Sequence, residues 1–242
     1  MSGSPQPAWQ GQALLGAGLA LFVGHSGDNR AHRHLAHQVC LARPGTVSQL
    51  ELDEGVVQGE ALWLRAGTRH RLLGHQGLLL WVDPTHALAP ALLGSGPAAW
   101  GHLEPAWFAR LRALALNPQA ATLMALQPPV AAAPDTRLAS VLALLRQALA
   151  GGDKGERQAL AQACALSPDR FSHWFKAQTG MPLRSYRKWL RLLLAIEQAL
   201  AGRSLIEAAH GAGFADQAHF ARTLRAMLGV TASIALRGVR LL

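Results

Sequence analysis

One motif occurs twice in the C-terminal part of this 242-residue chain, and its repetition limits the folds that this part can adopt. The run SPDRFSHWFKAQTG ends at Gly180, and its spacing of aromatic and small residues recurs 49 residues later in the run that ends at Gly229. Ser167 and Asp216 stand at the start of the two runs, and both residue types cap the free amide groups of a first helical turn. Each run therefore predicts a capped helix of about a dozen residues that ends at glycine.

Each of these two helices follows a shorter, alanine-rich segment. We expect helices over about residues 155–165 (GERQALAQACA) and 204–212 (SLIEAAHGA), where Ala161 and Ala209 let two helices cross closely. Gly213 suits the turn of the second copy because it has no Cβ. A helix, a short turn and a capped helix form a helix-turn-helix unit, whose second helix can enter the major groove of DNA. The sequence therefore predicts two such units.

A long helix is predicted between the two units, over residues 182–202 (PLRSYRKWLRLLLAIEQALAG). Its predicted apolar stripe consists of Leu183, Tyr186, Leu190, Leu193 and Leu194. About twenty helical residues span about 30 Å, and successive major-groove faces of one side of B-DNA lie about 34 Å apart. We interpret the helix as a rigid connector that directs both units to one side of a duplex. The alternative is an ordinary helical bundle with accidental similarity between its halves.

Positive charge is concentrated in the second half of the chain. Residues 1–134 carry eight Lys or Arg against seven Asp or Glu, whereas residues 135–242 carry fifteen against seven. The overall net charge of +9 therefore comes almost entirely from the second half. This asymmetry predicts a polyanionic partner for one domain, and a merely soluble basic surface is the alternative.

The chain over about residues 137–236 resembles the DNA-binding domain of the AraC/XylS family of bacterial transcription regulators. The runs that carry the resemblance are LAQACALSPDRFSHWFKAQTGMPLRSYRKWLRLLLA and GFADQAHFARTLRAMLGVTAS. It implies seven helices with two helix-turn-helix units, and double-stranded promoter DNA as a partner, usually for activation and sometimes for repression. RNA polymerase and a second copy of the chain are further implied partners. After Gly229, Ala232, Ala235 and Leu236 replace the family's usual proline, tyrosine and arginine, so we expect the last helix to pack differently.

The family pattern, carried over residue by residue, assigns Gln217, Ala218 and Arg222 to groove-facing positions of the second recognition helix. Arg222 can pair with guanine or a phosphate and Gln217 with adenine or a phosphate, whereas an internal ion pair is the alternative for Arg222. His173 is either a base contact or an exposed histidine. The candidate DNA-contacting residues are Asp169, Arg170, Ser172, His173, Lys176, Arg187, Gln217, Ala218, Ala221, Arg222 and Arg225. The candidates for phosphate contacts, or else for solvated charges, are Lys176, Arg184, Arg187 and Lys188.

The N-terminal half reads as short strands followed by a helix. Apolar runs such as QVCLARPG, QLELDEG, ALWLRAGTRH and GLLLWVDP are separated by glycine or proline, which is typical of a small sandwich or barrel. Residues 13–23 read as one buried strand that is too short to span a bilayer. Residues 104–126 look helical, with Trp107, Leu111 and Leu114 on one face. That helix either mediates self-association or packs on its own barrel.

We therefore predict an α+β protein in two domains: a barrel-like sensor or dimerisation domain over residues 1–126 and an all-α DNA-binding domain over 137–242. Residues 127–136, QPPVAAAPDT, are the predicted linker. The two cysteines, Cys40 and Cys164, are far apart in the sequence and suit the reducing cytoplasm, as small buried apolar residues. No membrane association is expected.

The N-terminal half also resembles, more weakly, a cupin-like sensor barrel of the kind that AraC/XylS regulators often carry. The cupin pattern has His-x-His, a glutamate about four residues later and a distant histidine. The matching residues here are His32, His34, Gln38 and His70. Three imidazoles and one oxygen ligand suit zinc, manganese, iron or nickel, although Gln38 lacks the negative charge that the glutamate supplies. His37 and His75 are alternative ligands.

Two other interpretations of these histidines stay open. With Gln38, they line a polar effector pocket whose walls include Trp63 and Trp81, or they lie exposed on a loop; core packing is the alternative for both tryptophans. A cupin with His-x-His is also compatible with a dioxygenase or an isomerase, but the fused DNA-binding part favours a non-enzymatic sensor. The sequence has no nucleophile elbow, phosphate loop or zinc-protease signature. We expect a regulator that responds to a small-molecule effector, with a metal-binding cupin sensor or a cupin enzyme fused to a DNA-binding domain as the alternative.

Overall fold

The computed structural model of the protein describes residues 9–16, 18–27, 29–93, 96–126 and 136–242, without the side chain of Met124. The chain divides into two compact units, one formed by residues up to 128 together with 224–242, and the other by residues 129–223. The first unit is rich in strands and the second is helical, which confirms the predicted α+β class. The predicted linker lies outside the described residues except for its last position, residue 136.

The elements follow the chain in this order. The first part contains β1 (Gln10–Gly16), β2 (Leu19–Ser26), β3 (His37–Ala42), β4 (Ser48–Leu52), β5 (Gly55–Gly59), β6 (Ala61–Leu64), β7 (His70–Leu73), β8 (His75–Val82), α1 (Leu88–Leu92), β9 (Trp100–His102), α2 (Pro105–Leu116) and α3 (Ala120–Met124). The second part contains α4 (Thr136–Ala150), α5 (Arg157–Ala163), α6 (Pro168–Thr179), α7 (Leu183–Leu200), α8 (Leu205–Gly211), α9 (Gln217–Leu228), α10 (Ala232–Leu236) and β10 (Gly238–Leu241).

The strands form a seven-stranded sheet in the order β10-β1-β2-β8-β3-β6-β9 and a three-stranded sheet in the order β5-β4-β7. Side chains alternate between the two faces of each strand. In the larger sheet, Gln38 pairs with Trp81 and the next residue, Val39, pairs with Trp63. Paired residues share a face, so Gln38 and Trp81 lie on one face of the sheet and Val39 and Trp63 on the other.

The face with Val39 and Trp63 forms the main apolar core with the helices of the same unit. Trp107, Leu111 and Leu114 of α2 are buried in this core, as their predicted common face requires. Of the two roles left open for this helix, the structure shows packing on its own sheet. Such burial of large apolar side chains is the main stabilising contribution of a core.

Two details of the first unit differ from the sequence-based expectation. The apolar segment over residues 13–23 is not one strand, because it spans the connection between β1 and β2, which pair antiparallel from Gln10↔His25 to Gly16↔Leu19. The helical segment over residues 104–126 is two helices, since α2 ends at Leu116, before Asn117 and Pro118. Proline disfavours helical geometry in the residue before it, which explains the break.

The helical part of the chain contains both predicted helix-turn-helix pairs, α5 with α6 and α8 with α9, and α9 extends past residue 223, where the second unit ends. Ser167 caps α6 by accepting a hydrogen bond from the amide of Arg170, and Asp216 caps α9 through a 2.6 Å bond from the amide of His219. Between the pairs, α7 has 18 residues, which is about 27 Å of helix. Its buried residues are Leu183, Tyr186, Trp189, Leu192 and Ala195, so the predicted stripe is correct only at its first two positions.

The two helix-turn-helix turns have the same hydrogen bonds. After α5, Ala165 and Leu166 donate to the carbonyls of Gln162 and Ala161, and after α8, Gly213 and Phe214 donate to those of His210 and Ala209. This pair of bonds is a Schellman motif, which requires a left-handed residue. That residue is Ala165 (φ 53°) in the first copy and Gly213 (φ 75°) in the second.

The turn residues therefore give a matched pair of stability predictions. Ala165→Gly is expected to raise the free energy of unfolding by about 0.5–1 kcal/mol, because glycine avoids the steric cost of a left-handed L-residue. Gly213→Ala is expected to lower it by about 1 kcal/mol for the same reason. Urea unfolding of the two variants measures both changes, and changes of the same sign would contradict the shared turn geometry.

The end of the chain returns to the first unit. After Gly229, α10 is only five residues long, and β10 then pairs parallel with β1 from Gln10↔Gly238 to Ala13↔Leu241. The chain thus follows its last helix with a strand, where the sequence suggested only altered helix packing. Among the described residues, the helices are all too short or too polar to cross a membrane.

Candidate functional site

The second recognition helix, α9, has one buried and one exposed side. Phe220, Thr223 and Leu224 are buried, and Phe220 packs against Phe214 of the turn with ring centroids 5.5 Å apart. The candidate DNA-contacting residues lie on the other side: Gln217, Ala218, Arg222 and Arg225 are exposed and Ala221 is partly exposed. Two exposed polar side chains, Gln217 and Arg222, therefore lie in the first six residues of the helix, which is the part of a recognition helix that contacts base edges.

The first recognition helix, α6, presents Arg170, His173 and Lys176 as exposed side chains. Asp169 is also exposed, but its carboxylate is 3.5 Å from the guanidinium of Arg157 in α5. Ser172 donates to the carbonyl of Pro168, and its hydroxyl oxygen accepts a 3.4 Å bond from Arg157.

These contacts show that Asp169 and Ser172 link α6 to α5 through Arg157. Sequence reasoning missed Arg157, the first residue of α5. The available signal was Asp169: the helix dipole favours an acidic residue at the start of α6, and that carboxylate can pair with a basic residue of the preceding helix. Because Asp169 is also repelled by phosphate, Arg170, His173 and Lys176 are the better candidates for DNA contact on α6.

Arg187 lies on α7 rather than on a recognition helix. Its guanidinium donates a 3.1 Å hydrogen bond to the carbonyl of Lys154, in the segment before α5. Burial lowers the pKa of Arg187, and the adjacent charge of Arg191 lowers it further, while Glu156 raises it. Arg187 is thus a partly buried cation in a basic surrounding.

The predicted histidine cluster is present in the first unit. His32, His34 and His70 are buried, and one ring nitrogen from each lies within 4.8 Å of the other two. His32 and His34 lie on a loop rather than on a strand, and His32 joins β7 through two 2.9 Å backbone hydrogen bonds with His70. The exposed-loop interpretation of these histidines is therefore wrong.

The hydrogen bonds of the cluster fix how each ring is turned. The Nδ1 atoms of His32, His34 and His70 each lie 2.8–3.0 Å from a backbone carbonyl oxygen, which only an N–H can contact favourably. A neutral imidazole with its proton on Nδ1 has a lone pair on Nε2. The Nε2 atom of His70 is buried and has no hydrogen-bond partner among the described residues.

Gln38 is in contact with the cluster. Its side-chain oxygen is 2.7 Å from Nε2 of His34 and accepts a 3.1 Å bond from the indole N–H of Trp81. Because the indole group can only donate, the atom that it meets is the oxygen and not the amide nitrogen. Gln38 and Trp81 therefore lie beside the histidines, as the sequence predicted.

Three other candidates are separate from this cluster. Trp63 lies on the opposite face of the sheet from Trp81, is buried in the main core and donates to the carbonyl of His102 at 3.0 Å. Grouping Trp63 with the histidines was wrong, because a shift of one residue along a strand changes the face. His37 accepts from the amide of Ala66, and His75 contacts Ser48, so neither replaces a member of the cluster.

Burial keeps the clustered imidazoles neutral at physiological pH. It lowers the pKa of His32 to about 4 and that of His70 to about 2, and the neighbouring His34 lowers both further. Burial also lowers the pKa of His34, against hydrogen bonds to Gln38 and Ala36 that raise it. Neutral imidazoles have the lone pair that metal coordination requires.

These lowered pKa values predict acid sensitivity of the metal-free protein. The unfolded chain takes up protons near the ordinary histidine pKa of about 6.5, while folded His32 stays neutral down to about pH 4. The unfolded state therefore binds more protons between these values, so the free energy of unfolding falls with falling pH, by up to about 1.4 kcal/mol per pH unit for each such histidine. Urea unfolding with a chelator should show a flatter pH dependence for His32→Gln than for the wild type, with His173→Gln as the control for loss of an exposed histidine. Equal slopes for the wild type and His32→Gln would contradict the prediction.

The helical part of the chain matches a protein family, and most of the chain matches solved structures in fold. Residues 160–237 match the family described as "Helix-turn-helix domain". No curated protein is significantly similar to the chain in sequence.

Among solved structures, the chain is similar to ToxT from Vibrio cholerae O395, at 10% identity over 89% of this chain and 96% of that chain, with a TM-score of 0.53. It is similar to unsaturated fatty acid bound wild-type ToxT from Vibrio cholerae strain SCE256, at 10% identity over 93% and 98%, with a TM-score of 0.57. A transcriptional regulator with an AraC-type DNA-binding domain from Chromobacterium violaceum matches at 21% identity over 39% and 84%, with a TM-score of 0.36. The likeness to ToxT establishes the two-domain fold of the whole chain.

Proposed function

We propose that the protein is a transcription regulator that binds promoter DNA sequence-specifically, because residues 160–237 match a family of helix-turn-helix domains. The observation that carries the proposal is the pair of capped recognition helices, α6 and α9, joined by the 18-residue α7. A helix of about 27 Å is close to the spacing of about 34 Å between successive major-groove faces. We therefore propose that α7 sets a separation of α6 and α9 that suits two adjacent major-groove segments on one side of a duplex.

The exposed side chains of α6 and α9 fall into two groups, those that suit base edges and those that suit phosphates. Arg222 suits the two acceptors of guanine, and Gln217 suits the acceptor and donor of adenine. Ala218 and Ala221 leave space for close approach or contact a thymine methyl group. Arg170, Lys176 and Arg225 suit phosphates, and phosphate contacts position a protein on DNA without reading its sequence. On α6, His173 is the candidate for a hydrogen bond to a base.

Fragments of the source genome provide the direct test of this function. The full-length protein is mixed with the fragments at a fixed salt concentration, and the bound ones are sequenced. The proposal predicts a small set of preferred fragments with a shared site, and an affinity that falls steeply with added salt. Uniform binding of all fragments would exclude a sequence-specific regulator.

The proposal also covers the role of the N-terminal unit, the cellular compartment and the protein partners. The N-terminal unit acts as a sensor without an enzymatic activity of its own, and the protein acts in the cytoplasm of a bacterium, where promoter DNA lies. Cys40 and Cys164 are both buried, which fits a reducing compartment. A homodimer and a contact with RNA polymerase belong to the same proposal, since regulators of this class work at promoters.

For the sensor, we propose a divalent transition-metal ion held by His32, His34 and His70, with the oxygen of Gln38 as a fourth ligand. The donor set fits, because all three Nδ1 atoms face backbone carbonyls, the arrangement that usually orients metal-binding histidines and leaves Nε2 for the ion. Nε2 of His70, which is buried and has no partner in the ranges that the structure describes, supports the same assignment. A bound ion would supply one positive charge centre that ties the loop of His32 to β7.

The contact between His34 and Gln38 favours a cation further. If the single proton of neutral His34 is on Nδ1, its Nε2 lone pair faces the oxygen of Gln38 at 2.7 Å. Two lone pairs at this distance repel each other unless a proton or a cation lies between or beside them. Because burial disfavours the protonated ring, a metal ion is the better partner for this pair.

An organic effector has a separate place in the N-terminal unit. A cavity of about 350 Å³ has mostly apolar walls, including Val23 and Leu116, with Arg43 and Arg112 among its lining residues. This volume is within the usual range of about 300–1,000 Å³ for small-molecule sites. One ToxT structure was solved with an unsaturated fatty acid bound, so an apolar carboxylate is the first effector class to test here. Binding to the folded protein should raise its melting temperature.

A further inference from the structure

A basic cleft lies in the second unit, along α7 and beside the start of α9. It has a volume of about 260 Å³ and is lined by Arg184, Arg187, Lys188, Arg191, Gly213, Phe214 and His219. The four cations occupy one face of α7, at spacings of three and four residues that bring their side chains together. The sequence of α7 has no acidic residue before Glu197, so this face carries a concentration of positive charge.

The cleft contains buried hydrogen-bond donors. The Nε atoms of Arg187 and Arg191 are both buried and have no partner within the described ranges of the chain. Like charges at such spacings destabilise a helix, and unsatisfied buried donors cost free energy as well. An oxyanion in the cleft would accept from both guanidinium groups and offset both costs, as arginine commonly does with phosphate.

The position of the cleft indicates where the oxyanion comes from. At one end, His219 belongs to the first turn of α9, and Gly213 and Phe214 form the turn before it. Toward the other end, Arg187 donates to Lys154, next to the start of the first helix-turn-helix pair. The cleft therefore lies along the connecting helix α7, between the two helix-turn-helix pairs. The proposed function directs these two pairs to adjacent major-groove segments.

We propose that this cleft binds a phosphate group of the DNA backbone between the two segments read by α6 and α9. The inference rests on the proposed function, and it adds a phosphate clamp that does not depend on base sequence. Gly213 forms part of the wall of the cleft and leaves space beside Arg191, because a Cβ at this position would lie 3.3 Å from Nε of Arg191. A free phosphate-containing ligand would offer the same chemistry, and the experiment has an arm for each source.

The test compares Arg191→Gln with the wild type in DNA titrations at several salt concentrations. We expect about tenfold weaker binding at physiological salt, to the preferred site and to unrelated duplex alike, and a decrease of about 0.9 in the slope of log K against log salt. Arg191→Lys keeps the charge and should keep most of the slope. Arg203→Gln removes an exposed charge in the turn after α7, outside the cleft, and should change the slope much less. Equal melting temperatures establish that the variants are folded.

The second arm titrates inorganic phosphate into the DNA-free protein. Millimolar or weaker binding that Arg191→Gln abolishes, together with the altered DNA slope, supports the clamp. An unchanged DNA slope overturns the proposal, with or without phosphate binding, and phosphate binding alone would then assign the cleft to a free anion. Failure of the proposed function would give a different result. If the protein has the clamp but does not recognise a DNA sequence, Arg191→Gln would still change the salt slope on unrelated duplex.

Discussion

An Arg222→Ala variant is expected to bind its preferred DNA site about 1–3 kcal/mol more weakly than the wild type, which is about 5- to 150-fold in Kd. Arg222 is exposed on α9, whereas Phe220 and Leu224 are buried, and its guanidinium group makes no hydrogen bond or ion pair within the described chain. A guanidinium that donates two hydrogen bonds to guanine loses both on truncation. Titrations of site variants with all four bases at each position measure the change.

The pattern of the loss is as informative as its size. A base contact predicts that Arg222→Ala accepts other bases at one position and leaves binding to unrelated duplex nearly unchanged. Arg203→Ala is the matched control, because it removes an exposed arginine that lies on neither recognition helix. An equal loss on every sequence would reassign Arg222 to a phosphate, and no loss at all would contradict its placement in the groove.

The second large effect concerns the histidine cluster. Zinc is expected to bind the chelator-treated full-length protein at one ion per chain, and His70→Ala to weaken that binding at least 100-fold. The reason is that Nε2 of His70 is buried without a partner in the described part of the chain, and a three-histidine site depends on each ligand. Competition with a chromophoric chelator measures the affinity, and the rise in melting temperature with added zinc gives an independent measure.

Two variants sharpen this test. Gln38→Glu adds the carboxylate that the site lacks, so it should tighten zinc binding by about tenfold or more. His102→Ala removes an exposed histidine outside the cluster and should have no effect on zinc binding. If wild type, His70→Ala and Gln38→Glu bind zinc equally, the cluster is not a metal site and an organic effector in the cavity beside Arg43 and Arg112 becomes the candidate signal.

The helical part of the fold was predictable because its signals are local. Ser167 and Asp216 cap their helices as predicted, and Gly180 adopts the left-handed conformation expected after a helix. A cap involves residues two or three positions apart, so the sequence contains all of its parts. The predicted connecting helix is likewise present, but the buried positions Trp189 and Leu192 were missed, because the neighbouring leucines gave several possible stripes.

Contacts distant in sequence were predicted less well. The histidines were found because a known spacing links them, whereas Trp63 was assigned to the wrong face, since the pairing register of Val39 is not encoded locally. Nothing near Gly238 predicts that it pairs with Gln10 at the other end of the chain. Arg157 and Arg191 were overlooked for a similar reason: their roles follow from partners on neighbouring helices, which a single helical pattern does not identify.

The spacing of the two DNA contacts tests the central claim most directly. A hydroxyl-radical footprint of the wild-type protein on its preferred site should show two protected segments on one side of the duplex, centred about 10–10.5 base pairs apart. Inserting five base pairs between them should abolish the double footprint, because the rigid α7 cannot follow a half-turn of DNA. A single protected segment, or two segments that tolerate the insertion, would contradict an account in which α7 sets the distance between two recognition helices.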